Sequence, residues 1–365
     1  MKAVIPCAKK KDDMFPFSET LPTALMPLMG RPIAEQLVND LLSVGVDEVY
    51  IVGNHLLPEL EDHFEEFDSV EIVEQEEING TGGAIDAVDI EEEFFVVNGD
   101  VAVSRSDLKS LKDAHDGKVS DVTMLATDES RPEKFGVLSI TNDRVEDIVE
   151  KPEDPENNLI NTGIYVFTPE IFSVLEDMEG QKDLTDAVSK LVEQNGARFE
   201  LVGDYWLDIG SPQKLRKADA VKREYHIRDT EVADSADVAD SAVIDGDARI
   251  ADGAEVRPNT VVEGRVYIGE DAVVGPNTVV RDSTIGDGSL VENATVRGSL
   301  LFQGNVLDPY VSVERCVMGE ETDVKPGTVI RESFIGGRSF IDMNNSIRGL
   351  KFVPDARTDL SEISK

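Results

Sequence analysis

The chain has 365 residues, with 74 Asp and Glu against 35 Lys and Arg, a formal net charge of −39. That length suits two domains, each burying its own core, and the acidity excludes a general binder of DNA, RNA or anionic lipid, whose contacts need cations. The acids are spread through a chain that is 40% hydrophobic, which excludes an acidic disordered protein and fits a globular one suited to very high salt.

Met1-Lys2-Ala3-Val4-Ile5 runs straight into a strand-like segment without an apolar leader. Apolar runs such as Glu93-Phe94-Phe95-Val96-Val97 are far shorter than the roughly 20 residues that span a bilayer. The expected location is the cytoplasm, with no membrane partner. Cys7 and Cys316 fall in different predicted domains and read as small buried hydrophobes, not as a disulfide. Residues 1–226 alternate strands and helices. Strands are predicted at Lys2–Ile5, Glu48–Val52, Val70–Glu74 and Phe94–Asn98. Helices are predicted at Ile33–Val44, near Pro58–Phe67 and at Ala84–Ile90. This pattern predicts an α/β, doubly wound, mainly parallel sheet, with ligands at the carboxyl ends of its strands, in loops 6–31, 75–84 and 98–104.

From residue 232 the period changes. Val232, Val238, Ile244, Ile250, Val256, Val262, Ile268, Val274 and Val280 stand six apart, each followed four residues later by a residue such as Ala236, Ala254, Thr260 or Ala272. The beat blurs over 297–317 and returns at Met318, Val324 and Ile330, then at Ile335, Ile341 and Ile347. A period of six with one aliphatic and one small residue is that of a triangular solenoid, and resembles the hexapeptide-repeat, left-handed parallel β-helix. At about eighteen residues per coil, 232–350 would form roughly six coils in a repeat domain of 227–350, with 351–365 as a cap or tail.

Four stretches in the first half share one family order. They are Glu74-Gln75-Glu76-Glu77-Ile78-Asn79-Gly80-Thr81-Gly82-Gly83-Ala84, Phe95-Val96-Val97-Asn98-Gly99-Asp100, Glu150-Lys151-Pro152 with Asn161-Thr162-Gly163, and Tyr205-Trp206-Leu207-Asp208-Ile209-Gly210. Residues 2–226 thereby resemble the sugar-1-phosphate nucleotidyltransferases, which make NDP-sugars. The resemblance implies a nucleoside triphosphate and a sugar-1-phosphate as substrates and Mg²⁺ as cofactor, with Asp100 and Asp208 as its ligands. It assigns the nucleotide to Ala8, Gln75, Gly80 and Thr81, and the Gln75/Gly80 pair fits a thymidylyl or uridylyl reader. The sugar phosphate falls to Gly136, Glu150, Lys151, Asn161, Thr162 and Gly163. Taken singly, an aspartate after a strand is a helix cap or turn residue, and a Glu-Lys pair is a solvated one.

The family's signature loop, Leu-Ala-Ala-Gly-x-Gly-Thr-Arg-Leu-x-Pro followed by Pro-Lys-Pro, is altered. Its glycines align with Lys9 and Lys11, its arginine with Asp13 and its later lysine with Thr23. Glycines there let backbone N–H groups approach phosphate; a lysine held left-handed costs about 1–2 kcal/mol. Asp13 exchanges a bidentate phosphate clamp for a repelling charge. Two readings stand: Lys9 and Lys11 are catalytic substitutes for the lost cradle, or an unconstrained surface loop has drifted. Three functions follow. The first is an Mg²⁺-dependent nucleotidyltransferase. The second is a non-catalytic homologue that binds sugar nucleotide and regulates or assembles with an active paralogue. The third is a β-helix acyltransferase, disfavoured because His55, His63, His115 and His226 all precede the repeats. The repeats are expected to serve as an oligomerisation or spacing element.

Overall fold

The computed structural model describes residues 1–142, 144–358 and 363–364, and packs into two compact units. Unit 1 is Met1–Lys10 with Ile33–Asp208; unit 2 is Lys11–Pro32 with Ile209–Lys365. The change of sequence period after 226 is therefore not where packing divides the chain. Two pieces of the first half, Lys11–Pro32 and the segment from Ile209 to His226, pack with the repeats.

In chain order the elements are β1 (Lys2–Pro6), β2 (Pro27–Leu28), β3 (Arg31–Pro32), α1 (Ile33–Ser43), β4 (Glu48–Gly53), α2 (Leu57–Phe64), β5 (Val70–Glu74), α3 (Thr81–Asp86) and β6 (Phe94–Val97). Then come β7 (Val101–Val103), α4 (Arg105–Ala114), β8 (Val122–Asp128), β9 (Gly136–Thr141), β10 (Arg144–Glu150) and β11 (Leu159–Phe167). They are followed by α5 (Glu170–Glu176), α6 (Leu184–Asn195), β12 (Ala197–Leu201), β13 (Trp206–Asp208) and α7 (Pro212–His226). Among the described residues, nine strands of unit 1 form one sheet in the order β5-β4-β1-β6-β11-β8-β12-β10-β9. The β5-β4-β1-β6 half is parallel, as the alternation of strands and helices predicts. The other half is mostly antiparallel, because β11 runs against both β6 and β8, and β10 against both β9 and β12. The sheet is thus mixed where a mainly parallel one was expected; hairpin-spaced strands such as β9 and β10 leave no room for a crossover helix. Phe94, Phe95, Val96 and Val97 are fully buried in its middle, the burial that a central strand covered on both faces requires.

Helix α3 begins at Thr81, three residues before the predicted Ala84. Gly80 precedes it at φ +114°, and a Cβ there would lie 2.3 Å from the Lys182 carbonyl oxygen. The glycines are needed for this close approach, so the helix starts inside the glycine-rich run.

Unit 2 contains the repeats as stacked parallel strands, with the architecture of the left-handed β-helix. The register fixes the coil length: Val261 pairs with Val279, Val279 with Thr295, and Thr295 with Ser312, which makes steps of 18, 16 and 17 residues. Coils are therefore shorter than eighteen over most of the stack, and one sheet holds seven rungs instead of six. The blurred beat at 297–317 is this shortening. Val296, Leu301, Leu307 and Val313 still point inward and are fully buried, with one residue dropped at some corners. Cys316 takes a small-residue position between Ser299 and Ser333, where burial pushes its thiol up to about 11. Left-handed corners recur at Gly253, Asp271, Gly288, Gly304, Glu321 and Arg338. Glycine adopts them freely, whereas Glu321 and Arg338 each pay about 1–2 kcal/mol. Lys351–Phe352 adds another rung beyond 350, paired with Phe334–Ile335. The rest of the expected tail, 359–362 and Lys365, lies outside the described residues. No helix among the described residues is long and apolar enough to cross a membrane.

Candidate functional site

The parallel half of the sheet assembles its loops at one edge. Beyond β1, the Cys7 N–H donates to Val52 O (2.8 Å), the His55 N–H to Ala8 O (3.1 Å), and the Gly99 N–H to Pro6 O (3.1 Å). Residues 6–8 are thereby stitched between the ends of β4 and β6, with Ala8 buried and Lys9 exposed. Desolvation pushes the Cys7 thiol up to about 12, which disfavours a thiolate nucleophile.

Asp100 lies three residues beyond β6 and immediately before β7. Strand β7 then runs antiparallel to β13, with Val101 opposite Asp208, Ala102 opposite Leu207 and Val103 opposite Trp206. This register brings two aspartates, 108 positions apart in sequence, to adjoining places at the end of one short ribbon. Two carboxylates are hard oxygen donors of the kind Mg²⁺ takes from a protein, the rest of its octahedral shell being water and substrate phosphate. Among the described residues there is no group of three or more His, Cys, Asp or Glu that could form an all-protein metal cage. Two such carboxylates could hold a divalent cation.

The glycine-rich turn is braced from inside. The Gln75 N–H donates to Gly53 O (2.8 Å), and its Nε2 donates to Asn79 Oδ1 and Gly80 O, each at 3.1 Å. Lys182 N–H donates to Asn79 O (2.6 Å), and Gly82 N–H to Lys182 O (2.9 Å). Gln75 is 4% exposed. Its side-chain amide N–H groups hold the turn in shape. Lys182 was not legible as a partner of this turn, since it lies about a hundred residues downstream.

On the antiparallel half, Gly136 stands opposite Glu150 in register. A Cβ at Gly136 would come within 3.2 Å of Glu150 Oε2, so glycine keeps that carboxylate unobstructed. Lys151 is left-handed at φ +46°, with its N–H donating to Phe135 O (3.0 Å) and its Nζ 2.7 Å from Glu150 Oε1. Hydrogen bonding to Glu150 raises the Lys151 pKa, so the exposed ammonium stays charged. The Thr185 hydroxyl donates to Glu150 Oε2 (3.3 Å).

Asn161 and Thr162 are 8% and 2% exposed and bonded internally. Asn161 bridges the Tyr165 hydroxyl and the Gly163 N–H, and Thr162 Oγ1 donates to Leu125 O (2.8 Å). Their side chains are thus committed to bonds within the fold. Gly163, at φ +78°, accepts the Asn98 N–H (3.1 Å). Two residues that sequence reading assigned no role join the halves. Trp206 Nε1 donates to Thr162 O (3.0 Å), and its ring meets Phe135 edge-on at 5.7 Å between centroids. Contacts thus run unbroken from Asn98 through Gly163, Thr162, Trp206 and Phe135 to Lys151. The signal available was that Trp206 is the only tryptophan in the chain and lies two residues before Asp208.

Lys11, Asp13 and Thr23 belong to the segment that packs in unit 2. Lys11 is extended, at φ −100°, and Lys9, Lys10 and Lys11 are absent from the left-handed residues of the described chain. The backbone cost expected for lysines in place of glycines is therefore not incurred, because this loop follows an extended path. Beyond the lysines the segment is anchored, with Met14, Ala24 and Met26 fully buried and Phe17 and Leu28 nearly so, while Lys9, Asp12 and Asp13 are exposed.

Comparison with known proteins fits this geometry. The family described as "Nucleotidyl transferase" matches residues 12–224, more than half of the chain, and "GMPPB C-terminal domain" matches 238–350. The bifunctional protein GlmU of Methanococcus aeolicus is 33% identical over 225 residues, covering 60% of this chain and 53% of that protein. A bifunctional sugar-1-phosphate nucleotidylyltransferase/acetyltransferase of Sulfurisphaera tokodaii is 29% identical over 226 residues, covering 59% and 54%. The match spans about half the length of these curated relatives. Among solved structures, a UDP-glucose pyrophosphorylase from Acinetobacter baumanii superposes with a TM-score of 0.54 at 22% identity, covering 62% of this chain and 94% of that one. A putative glucose-1-phosphate thymidylyltransferase from Bacillus anthracis gives 0.56 at 21%, covering 61% and 96%; both likenesses speak to the fold. With the paired aspartates on the β7–β13 ribbon, and the glycine-rich turn and Glu150–Lys151 at strand ends of the nine-stranded sheet, the chain belongs to the nucleotidyl transferase family.

Proposed function

We propose that this protein transfers a nucleotidyl group from a nucleoside triphosphate to a sugar-1-phosphate, forming an NDP-sugar. A phosphate oxygen of the sugar-1-phosphate attacks the α-phosphorus, the bond from that phosphorus to the bridging oxygen breaks, and pyrophosphate leaves. The observation that carries this reading is the β7–β13 register that sets Asp208 beside Asp100. Asp100 and Asp208 would hold Mg²⁺, which when bound supplies charge neutralisation between two anions. Ala8, Gln75, Gly80 and Thr81 bound the nucleotide side, with the turn held in shape by Gln75. Gly136, Glu150, Lys151, Asn161, Thr162 and Gly163 bound the sugar side, with Glu150 accepting from sugar hydroxyls and Lys151 facing the phosphate.

The test is pyrophosphate release from paired nucleotides and sugar-1-phosphates, run in molar KCl to match the acidic composition. Release with at least one pair is expected; none from folded protein across the panel would sink the reading. Lys151→Ala is expected to raise KM for the sugar-1-phosphate by about ten-fold with little change for the nucleotide, the size of a lost hydrogen bond to a charged group. A second reading is a non-catalytic homologue that binds sugar nucleotide and regulates or assembles with a paralogue. It is favoured by Asp13 and Thr23 where the family signature has cations. NDP-sugar binding without turnover would select it. Lys9 remains the exposed cation nearest in sequence to the β1 loop. In the enzyme reading, Lys9→Ala weakens nucleotide binding in low salt more than in molar salt, as screening predicts.

A further inference from the structure

One face of the solenoid differs from the other two. In the register of its coils, Tyr267, Thr284, Leu300, Val317 and Phe334 occupy one column. Each precedes an inward-pointing residue of the next column, so these side chains point out of the coil. All five are nonetheless buried, Thr284, Leu300 and Val317 fully. An outward column of buried residues must be covered, and within unit 2 part of the cover is visible.

Helix α7 supplies one part of it. Asp219, fully buried, accepts the Thr284 hydroxyl at 2.9 Å and stands 3.4 Å from Arg223 Nη2. It also accepts the Met29 N–H at 2.9 Å. One carboxylate thus ties together a coil of the repeats, helix α7 and the segment 11–32. The segment is held elsewhere as well. Gly30 lies so close to the Tyr267 ring that a Cβ there would sit 2.7 Å from it, and Met29, Ile227 and Tyr267 form one apolar cluster. Phe17 packs on Phe302 with ring centroids 5.4 Å apart. Phe302 follows Leu301 where glycine follows the equivalent residue in neighbouring coils, at Gly269, Gly286, Gly319 and Gly336. The stack breaks its own corner pattern at the coil that receives Phe17.

We propose that unit 2 clamps segment 11–32, with Asp219 as a positioning residue for the nucleotide end of the site. The segment is continuous by chain with the loop beyond β1 at Lys10 and with α1 at Ile33. That loop is the one stitched by Pro6 to the strand end bearing Asp100. Freeing the segment releases both of its chain junctions, and the residues 7–10 lose one of their anchors. The inference rests on the nucleotidyltransferase reading for its effect on substrate, but not for the clamp itself.

The experiment uses the full chain and three variants. Thr284→Val removes one donor to Asp219, Phe302→Gly restores the corner residue of neighbouring coils, and Asp219→Asn keeps one acceptor for Met29. Asp219→Ala is avoided because Arg223 Nε and Nη1 are already buried without a hydrogen-bond partner. Two quantities are read: amide hydrogen exchange at Met29 and the surrounding segment, and nucleotide KM against sugar-1-phosphate KM. Thr284→Val and Phe302→Gly are expected to speed exchange and raise nucleotide KM by about ten-fold, with Asp219→Asn intermediate and sugar-1-phosphate KM unchanged. Arg297→Ala, at an exposed coil position, should move neither. Unchanged exchange in all three variants would overturn the clamp. Faster exchange with both KM values rising together would overturn Asp219 as a positioning residue. A wild type that releases no pyrophosphate, yet whose segment loses protection in the variants, keeps the clamp and defeats the functional reading instead.

Discussion

Replacing Asp100 by Ala is expected to lower kcat for pyrophosphate release by ~10²–10³-fold, the usual loss when one preorganised electrostatic group at a transition state is removed. Asp208→Ala should do the same. The double variant should be little worse than either single one, because both act on one ion and residues acting as a unit are not additive. KM for the sugar-1-phosphate should move little, since Glu150 and Lys151 are untouched. The β7–β13 pairing that places the two carboxylates is made by backbone and survives both changes. Raising Mg²⁺ should recover part of the loss in each single variant and less in the double. Full activity in either single variant would remove the aspartate pair from the chemistry.

The second large effect concerns the solenoid. Leu301 is fully buried in the inward column, between Ile285 and Met318 in register. Leu301→Ala is expected to cost about 2–5 kcal/mol, the transfer free energy of the lost methyls plus the cavity left behind. The cost should fall mainly on nearby coils, because each coil of a solenoid rests only on its neighbours. Denaturant titration should show a lower midpoint, and hydrogen exchange should localise the loosening to strands near 284–285 and 317–318. Arg297→Ala, four residues away and exposed, is the matched control with an effect within about 0.5 kcal/mol. If Leu301→Ala left the midpoint unchanged, the inward column would not be the core.

Much of this was legible in residues alone, and unevenly. The six-residue beat identified inward positions from Val256 to Val280 without error, since a triangular coil repeats the same environment at each turn. It could not count the coils. Corners tolerate the loss of one residue with no change in what points inward, so a beat of six conceals coils of 16 and 17. The parallel sense of the β5-β4-β1-β6 half followed from its alternation with helices, but not its order. The antiparallel half did not, because the pairing of β11 with both β6 and β8 is a non-local choice.

The site divides the same way. Asp100, Asp208, Glu150 and Lys151 could be named from local motifs, but the place of Asp208 next to Asp100 depended on pairing β7 with β13, and that of Gly136 opposite Glu150 on pairing β9 with β10. Gln75 looked like a base reader; only the folded turn reveals that its Nε2 is already committed to Asn79 and Gly80. Trp206 and Lys182 escaped notice because their partners, Thr162 and Asn79, lie far away in the chain.

By itself, then, the sequence determined composition, the two kinds of repeat unit, the inward face of the solenoid and the residue types of the site. Those properties are set by local periodicity and side-chain chemistry, which survive without knowledge of what packs where. Tertiary structure alone decided that residues 11–32 fold with the repeats, and that Lys11 takes an extended path instead of a strained one. The outward column of Tyr267, Thr284, Leu300, Val317 and Phe334 was present in the sequence as apolar and small residues beside each inward one. Its meaning required the covering elements, because burial is a property of two surfaces and a sequence displays them one at a time.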